Sequence, residues 1–275
     1  MIKRIYIKIR NAIMLRINKS RFIEDISPMK ESFNELHELL LFSYEKEIFG
    51  SDKKLANKIE KLRASLASDP SKKVRTFGSP HSNAELFDDS GKVVPGVYLD
   101  HDISGVAKTG TNEFGGIQLK RIVDAFGHGN VLELGTNTGL SGCYFLSSDN
   151  TEHFYTIEGS PDLCKIADIN LKTMGDNYTL YEGLFDNVLN SLDLEDQFMY
   201  AFIDGQHEKQ ATIHYMEKIF PMMKPGGILI FDDIYWSEGM LDAWNIIKRD
   251  SRFDLSIDFG WRGIVRVAEH SRSEK

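Results

Sequence analysis

The sequence predicts an α/β fold: a mostly parallel sheet of seven strands, preceded by a helical extension. From residue 115 onward, short apolar runs alternate with segments of helical periodicity, which is the pattern of strands joined by crossover helices. The last two apolar runs, FDLSIDFG and GIVRVAE, have only a short connection between them and predict an antiparallel hairpin. Residues 1 to about 75 carry apolar positions at helical spacing, as in SFNELHELLLFSYEKEIF.

The predicted elements divide the chain into two regions. Residues 1–110 comprise the helical extension and a long loop over 76–110, which is rich in Gly, Ser, Asp and Pro and which we expect to form a lid, substrate or dimer region. Residues 111–275 comprise the sheet domain. The helix GGIQLKRIVDAF opens it, and five strand–helix units follow, which start at NVLELG, HFYTIEG, YTLYEG, MYAFIDG and GGILIFDD. Ser160 is expected to cap the second of their helices, with Pro161 at its first position.

Composition and charge exclude several classes of protein. The net charge of −8 argues against a nucleic-acid binder that works through bulk charge. The two cysteines form no CxxC pair, so we expect no zinc site or disulfide framework, and a reducing, cytoplasmic setting. Residues 1–22 contain seven basic side chains and no acid. This segment is interpreted either as an amphipathic helix in peripheral contact with an anionic membrane or as a helix that docks on the acidic body or on a second subunit.

The stretch NVLELGTNTGLSG predicts a nucleotide-binding turn between a strand and a helix. Glu158 ends the next strand, where a carboxylate can accept hydrogen bonds from a ribose diol. Asn137 and Leu140 stand where a dinucleotide-binding GxGxxG pattern would have its second and third glycines. Glu133, two residues before Gly135, would repel a pyrophosphate, but it suits a ligand that carries an ammonium group.

With these residues the chain resembles class I S-adenosylmethionine (SAM)-dependent methyltransferases, whose first motif is ExGxxxG. The similarity covers about residues 105–267 and is strongest to small-molecule O-methyltransferases of the catechol and caffeoyl-CoA type and related bacterial proteins. It implies a Rossmann-like fold, SAM as cofactor and a homodimer. The cofactor-binding residues that it implies are Glu133, Gly135, Thr136, Asn137, Gly139, Ser141, Glu158, Gly159, Gly183, Leu184 and Asp204. The competing interpretation of residues 135–139 is an ordinary strand–helix turn.

Three acids end two later strands: Asp204 in AFIDGQH, and Asp232 and Asp233 in LIFDDIYW. Because ligands of such sheets bind at the carboxyl ends of the strands, we expect these acids to converge. A divalent cation such as Mg²⁺ or Ca²⁺ would relieve their repulsion. The resemblance supports a metal site, although Asp233 stands where the related enzymes have Asn. The alternative is that Asp204 holds the cofactor or a lid while the other two acids cap a helix.

His207, three residues after Asp204, is the candidate general base for removing a hydroxyl proton, with a structural hydrogen bond as the alternative. His101, in YLDHDISG, is a weaker candidate for the substrate site. Tyr235 and Trp236 follow the acid pair and either form an aromatic wall for the acceptor or pack the next helix.

The sequence therefore predicts methyl transfer to a hydroxyl of a small-molecule acceptor. N-methyl or aminopropyl transfer on the same fold stays open, and so does a SAM-binding module without catalysis. An NAD-dependent dehydrogenase is disfavoured by Glu133 and by the missing middle glycine.

Overall fold

The computed structural model describes residues 27, 30, 34–68, 71–78, 97–192 and 197–269. The basic segment 1–22 lies outside the described residues. The helices are α1 (Asn34–Glu45), α2 (Gly50–Ala67), α3 (Ile103–Thr109), α4 (Glu113–Phe126), α5 (Leu140–Leu146), α6 (Pro161–Lys172), α7 (Phe185–Ser191), α8 (Lys209–Ile219) and α9 (Glu238–Ile247). The strands are β1 (Lys73–Gly78), β2 (Val97–Asp102), β3 (Gly129–Leu134), β4 (Thr151–Glu158), β5 (Tyr178–Glu182), β6 (Phe198–Ile203), β7 (Met223–Phe231), β8 (Phe253–Asp258) and β9 (Gly263–Val267).

Strands β3 to β9 form one seven-stranded sheet in the order β5-β4-β3-β6-β7-β9-β8. Strand β4 pairs with β5, and β6 with β7, in parallel. Strand β9 is antiparallel to both β7 and β8, so the predicted C-terminal hairpin is confirmed. The predicted fold class, a mostly parallel Rossmann-like sheet with N-terminal helices, is therefore confirmed.

The prediction of a long loop over residues 76–110 is wrong for 76–78 and 97–109, which form regular secondary structure. Strands β1 and β2 pair antiparallel in a separate two-stranded sheet, with Val74 opposite His101. Helix α3 follows β2 directly. Val74 and Ile103 are buried in a small apolar cluster with Leu163 and Ile166 of α6. Burial of these side chains explains why a polar, glycine-containing segment adopts regular structure here.

The described chain divides into two compact units. The β3–β5 unit contains α2, β1, β2, α3, most of α4 and the elements from β3 to α7. All seven residues of α5 are buried in it, and Gly116 of α4 permits close packing, since an added Cβ would lie 2.1 Å from the Tyr144 ring. Ser160 accepts a hydrogen bond from the Leu163 N–H with Pro161 at the start of α6, so the predicted cap is confirmed.

The β6–β9 unit contains α1, the end of α4 and the elements from β6 onward. Its core includes Trp244 of α9, which packs on Phe231 at a ring-centroid distance of 6.3 Å. The same indole lies against Gly263 of β9, where an added Cβ would lie 2.7 Å from the ring. The Tyr200 hydroxyl donates to the Val123 carbonyl at 3.0 Å and thereby joins β6 to the end of α4. No helix in the described parts of the chain is long and apolar enough to cross a membrane.

Candidate functional site

The turn between β3 and α5 has the backbone shape that its glycines suggest. Gly135, Asn137 and Gly139 adopt φ values of 100°, 51° and 79°, in the left-handed region that favours residues without a bulky Cβ. The N–H groups of Gly135 and Thr136 donate to the Ile157 carbonyl of β4 at 3.1 and 3.3 Å. The turn is therefore fixed to the strand that ends in Glu158.

Helix α6 passes close beneath this turn. A Cβ at Gly139 would lie 3.0 Å from the Ala167 Cα and 3.2 Å from its carbonyl oxygen, both backbone atoms. The Asn170 side chain donates to the Thr138 carbonyl at 2.8 Å. A larger residue at position 139 would therefore have to displace the helix or the turn.

Glu133, on β3, is fully buried among hydroxyl groups. The hydroxyls of Ser141 and Thr156 donate to its two oxygens at 2.5 and 2.7 Å. Burial raises the pKa of Glu133 from 4.5 to about 7; these two hydrogen bonds oppose the rise and the charge of Glu158 adds to it. The Thr136 hydroxyl is likewise occupied, 2.5 Å from that of Thr156. The side chains of Ser141 and Thr136, predicted to bind cofactor, thus support the interior of the turn.

Glu158 ends β4 with its carboxylate nearly buried. The backbone N–H groups of Asn137 and Ser160 donate to its two oxygens at 2.8 and 2.9 Å. Burial raises its pKa, and the backbone N–H donors oppose this rise. Each carboxylate oxygen accepts more than one hydrogen bond, so Glu158 keeps acceptor capacity for the hydroxyls of a ribose.

Two buried polar atoms of the turn have no hydrogen-bond partner within the described chain: Asn137 Oδ1 and Thr138 Oγ1. Buried polar groups are nearly always paired, and an unpaired one costs roughly 1–3 kcal/mol. A polar ligand at the turn would supply the missing partners. The residues of the turn therefore fit a cofactor with polar groups.

The ends of β4 and β5 meet beside Glu158. The Gly183 N–H donates to the Glu158 carbonyl at 2.8 Å, and Gly183 has a φ of 156°. Leu184 is 37% exposed, and its Cδ2 lies 3.6 Å from the position that a Cβ on Gly159 would take. The structure thus brings Gly159, Gly183 and Leu184 together around Glu158, and their contact with a cofactor stays a prediction.

In the β6–β9 unit, His207 lies between two carboxylates. Its Nε2 is 3.7 Å from Asp204 Oδ1 and 3.6 Å from Asp233 Oδ2, and its side chain is partly exposed. These separations exceed hydrogen-bond length, but they place both acids within direct electrostatic reach. The pKa of the Asp233 carboxyl is raised by burial and then by the charge of Asp232, while His207 and Arg262 oppose the rise.

Asp232 is paired with Arg262, a residue that the sequence analysis did not single out. Arg262 Nε and Nη2 donate to the two oxygens of Asp232 at 3.2 and 3.0 Å, and the arginine side chain is 1% exposed. The guanidinium also lies 5.2 Å from the Phe202 ring centroid. The only sequence signal for this contact is an arginine in the short WRG connection between the last two strands.

This pairing bears on the predicted metal site. Within the described residues, no group of three or more His, Cys, Asp or Glu side chains is arranged to hold a metal ion. Both oxygens of Asp232 face a guanidinium that already compensates their charge. The side chains as arranged do not fit a cation held by Asp204, Asp232 and Asp233.

The two aromatic residues after the acid pair have different surroundings. Tyr235 donates to Asp258 Oδ2 at 2.9 Å, and the fully buried Asp258 also accepts a hydrogen bond from Trp244 Nε1 at 3.1 Å. Tyr235 therefore joins the segment before α9 to the end of β8, where Trp244 of α9 binds the same carboxylate. Trp236 is 71% exposed, with its ring centroid 6.4 Å from that of His207. Of the two, Trp236 has free aromatic surface next to the candidate base. In the other unit, His101 lies exposed on β2.

Part of the chain matches a known protein family. Residues 132–234 match the model of a family described as methyltransferase domain. This part of the chain is a methyltransferase domain. It extends from β3 to just beyond β7. It includes the candidate site residues Glu133, Glu158, Asp204, His207, Asp232 and Asp233. No curated protein matches the chain in sequence.

Solved structures resemble the methyltransferase domain and part of its surroundings. A Klebsiella pneumoniae protein assigned as an O-methyltransferase is 18% identical over 87% of this chain and 99% of its own, with a TM-score of 0.53. An O-methyltransferase from Bacillus cereus, in complex with S-adenosylhomocysteine (SAH), is 20% identical over 78% of this chain and 90% of its own (TM-score 0.50). An SAH-bound methyltransferase from Podospora anserina is 20% identical over 58% and 81% (TM-score 0.50). At these identities the likeness shows the fold alone, a Rossmann-like methyltransferase fold.

Proposed function

We propose that the chain binds SAM and transfers its methyl group to a hydroxyl of a small-molecule acceptor. The observation that carries the proposal is the turn after β3. It is bonded to Glu158 at the end of β4, and two of its buried polar atoms have no partner among the described residues. This turn lies inside the matched methyltransferase domain. The SAH found in the structures from B. cereus and P. anserina supports SAM as the cofactor. The acceptor class, a homodimer, peripheral membrane contact and a cytoplasmic location stay predictions.

In this proposal the β3–β5 unit binds the cofactor. Glu158 accepts hydrogen bonds from the ribose diol, and Asn137 and Thr138 use their unpaired oxygens for polar groups of the ligand. SAM supplies an electrophilic methyl group on a sulfonium, and its ammonium group favours an ionised Glu133 at the turn. Binding in a fixed geometry lowers the barrier because the reacting atoms are already aligned.

His207 acts as the general base. It accepts the hydroxyl proton while the acceptor oxygen bonds to the methyl carbon and the carbon–sulfur bond breaks, which leaves a thioether. The carboxylates of Asp204 and Asp233, 3.7 and 3.6 Å from Nε2, stabilise the imidazolium that forms.

We further propose that this reaction needs no divalent cation. The charge of Asp232, which a metal would otherwise neutralise, is compensated by the bidentate contact with Arg262. A metal site at Asp204, Asp232 and Asp233 is the alternative, and it would require the Arg262 contact to break.

Amine methylation is the second candidate reaction. It is favoured by the two carboxylates beside His207, which would attract a cationic amine. Matched acceptor pairs, such as a catechol and the corresponding aromatic amine, separate the two reactions by product analysis.

The proposal is tested first by titrating SAH into the purified protein by calorimetry. We expect micromolar binding that Gly135→Val abolishes, because valine is strained at a φ of 100°. Gly127→Val is the matched control, since Gly127 has a φ of 95° and no described atom lies within 4 Å of the position that its Cβ would take. Absence of SAH binding by the wild-type protein would overturn the proposed function.

Once an acceptor is found, His207→Ala should keep the SAH affinity and lower turnover by roughly 10²–10⁴-fold. His214→Ala, on α8 of the same unit, should leave turnover unchanged. Activity that persists in EDTA is expected if Arg262 replaces the metal. Activity lost in EDTA and restored by Mg²⁺ would favour the metal site.

A further inference from the structure

The hairpin of β1 and β2 lies against the end of β4, immediately beside Glu158. The backbone N–H of Arg75 donates to Asp162 Oδ2 at 3.1 Å, and the Ser160 hydroxyl donates to the Arg75 carbonyl. The Tyr98 hydroxyl approaches the Gly159 carbonyl at 3.4 Å. All of these residues belong to the β3–β5 unit, and the hairpin lies outside the matched methyltransferase domain.

The hairpin brings two aromatic rings to the same place. Phe77 and Tyr98 are opposite each other in the strand register, with ring centroids 5.2 Å apart in an edge-to-face arrangement. Tyr98 is 50% exposed and Phe77 is only partly buried. The pair therefore keeps aromatic surface that no described residue covers.

The aromatic surface of Phe77 and Tyr98 meets the end of β4 at Gly159. A Cβ at Gly159 would lie 3.4 Å from Phe77 Cβ, 3.6 Å from Phe77 Cδ1 and 3.6 Å from Leu184 Cδ2. Phe77 and Leu184 thus line the space into which a side chain at position 159 would point. Because Gly159 has no side chain, the apolar surface at this point comes from Phe77 of the hairpin and from Leu184.

The position of a bound base follows from the chemistry of a nucleoside. The diol of a ribose includes the carbon next to the one that carries the base, so a base must lie close to the carboxylate that holds the diol. In this chain that carboxylate is Glu158, and the residues beside it are Gly159 and Leu184. An aromatic base at this point would meet the ring of Phe77.

We propose that Phe77 and Tyr98 of the hairpin, together with Leu184, form the apolar wall that receives the adenine of the cofactor. The proposal rests on the proposed function, since it takes Glu158 as the ribose ligand. The hairpin is already anchored through Val74, which is buried with Leu163 of α6. The aromatic wall is therefore formed before the cofactor binds, and little ordering is needed on binding.

The test measures the affinity of SAH and of 5′-methylthioadenosine, which retains the adenosine half of the ligand. Phe77→Ala should weaken both ligands by a similar factor, roughly 10- to 100-fold, because a stacked base loses its aromatic partner. Tyr98→Ala, at a half-exposed position that tolerates truncation, should weaken both ligands in the same direction by a smaller factor. Phe49→Ala is the matched control: Phe49 is 71% exposed at the start of α2 in the same unit, and its loss should change neither affinity.

Circular dichroism and thermal melting of each variant establish that it is folded. In the wild-type complex, nuclear Overhauser contacts between the Phe77 ring and the adenine protons provide a readout that a purely structural role would not produce. Wild-type SAH binding with unchanged affinity in both aromatic variants, or with no such contacts, would overturn the adenine wall alone. Failure of the wild-type protein to bind SAH would overturn the proposed function instead.

Discussion

Glu133 makes a quantitative prediction about stability and pH. Its carboxyl is fully buried, and its pKa rises from 4.5 to about 7 in the folded chain. The folded state therefore holds this proton more tightly than the unfolded state does. The stabilisation is fully present below pH 4.5 and is lost as the pH rises through 7. At 1.36 kcal/mol for each pKa unit, the loss amounts to roughly 3 kcal/mol.

Glu133→Gln should remove this contribution. An amide has nearly the same shape and can exchange hydrogen bonds with the hydroxyls of Ser141 and Thr156. Urea unfolding of both proteins at pH 5 and pH 8 gives the difference in unfolding free energy at each pH. We expect this difference to shift in favour of the glutamine variant by roughly 2.5 kcal/mol between pH 5 and pH 8, because part of the stabilisation is already lost at pH 5.

The control is Glu152→Gln, an exposed glutamate on β4, whose stability profile should stay parallel to that of the wild type. Parallel profiles for Glu133→Gln as well would refute the reasoning, because they would mean that Glu133 is ionised in the folded protein at pH 5 as it is in the unfolded chain.

Two further substitutions test the packing of each unit. Gly116→Ala places a methyl group 2.1 to 2.4 Å from ring atoms of Tyr144 and should lower the unfolding free energy by about 1–3 kcal/mol; unchanged stability in urea would contradict this close packing. Arg262→Met leaves the Asp232 carboxylate without its partner and should cost about 3–5 kcal/mol. Adding Asp232→Asn should recover most of that loss, and a double variant no more stable than Arg262→Met would argue against the ion pair.

The elements from β3 onward were predictable because each has a local signature. Alternating apolar runs mark the strands, Ser160 and Pro161 mark the start of α6, and the short connection before β9 marks a hairpin. These signals arise between residues that are close in sequence, so the local pattern of apolar and capping residues is enough to predict the elements.

The pairing of β1 with β2 had no such signature. The two strands are separated by residues 79–96, and their sequences KVRTFG and VYLDHD lack the strict alternation of a half-buried strand. They are stabilised by contacts distant in sequence, such as that between Arg75 and Asp162. Tertiary contacts often override local preference in strands, and here they produce the hairpin that we infer to contact the adenine.

At the candidate site, too, the sequence predicts which residues are present but not how they are arranged in space. The sequence identified the carboxylates at the strand ends, but their electrostatic surroundings depend on contacts made in space. Glu133 is held among hydroxyls with a pKa near neutrality, whereas Asp232 stays paired with a buried arginine 30 residues further along the chain. One carboxyl is accommodated by binding a proton and the other by a guanidinium. A cluster of acids in a sequence therefore indicates that charge must be compensated, and only the folded neighbours decide whether a proton, an arginine or a metal ion compensates it.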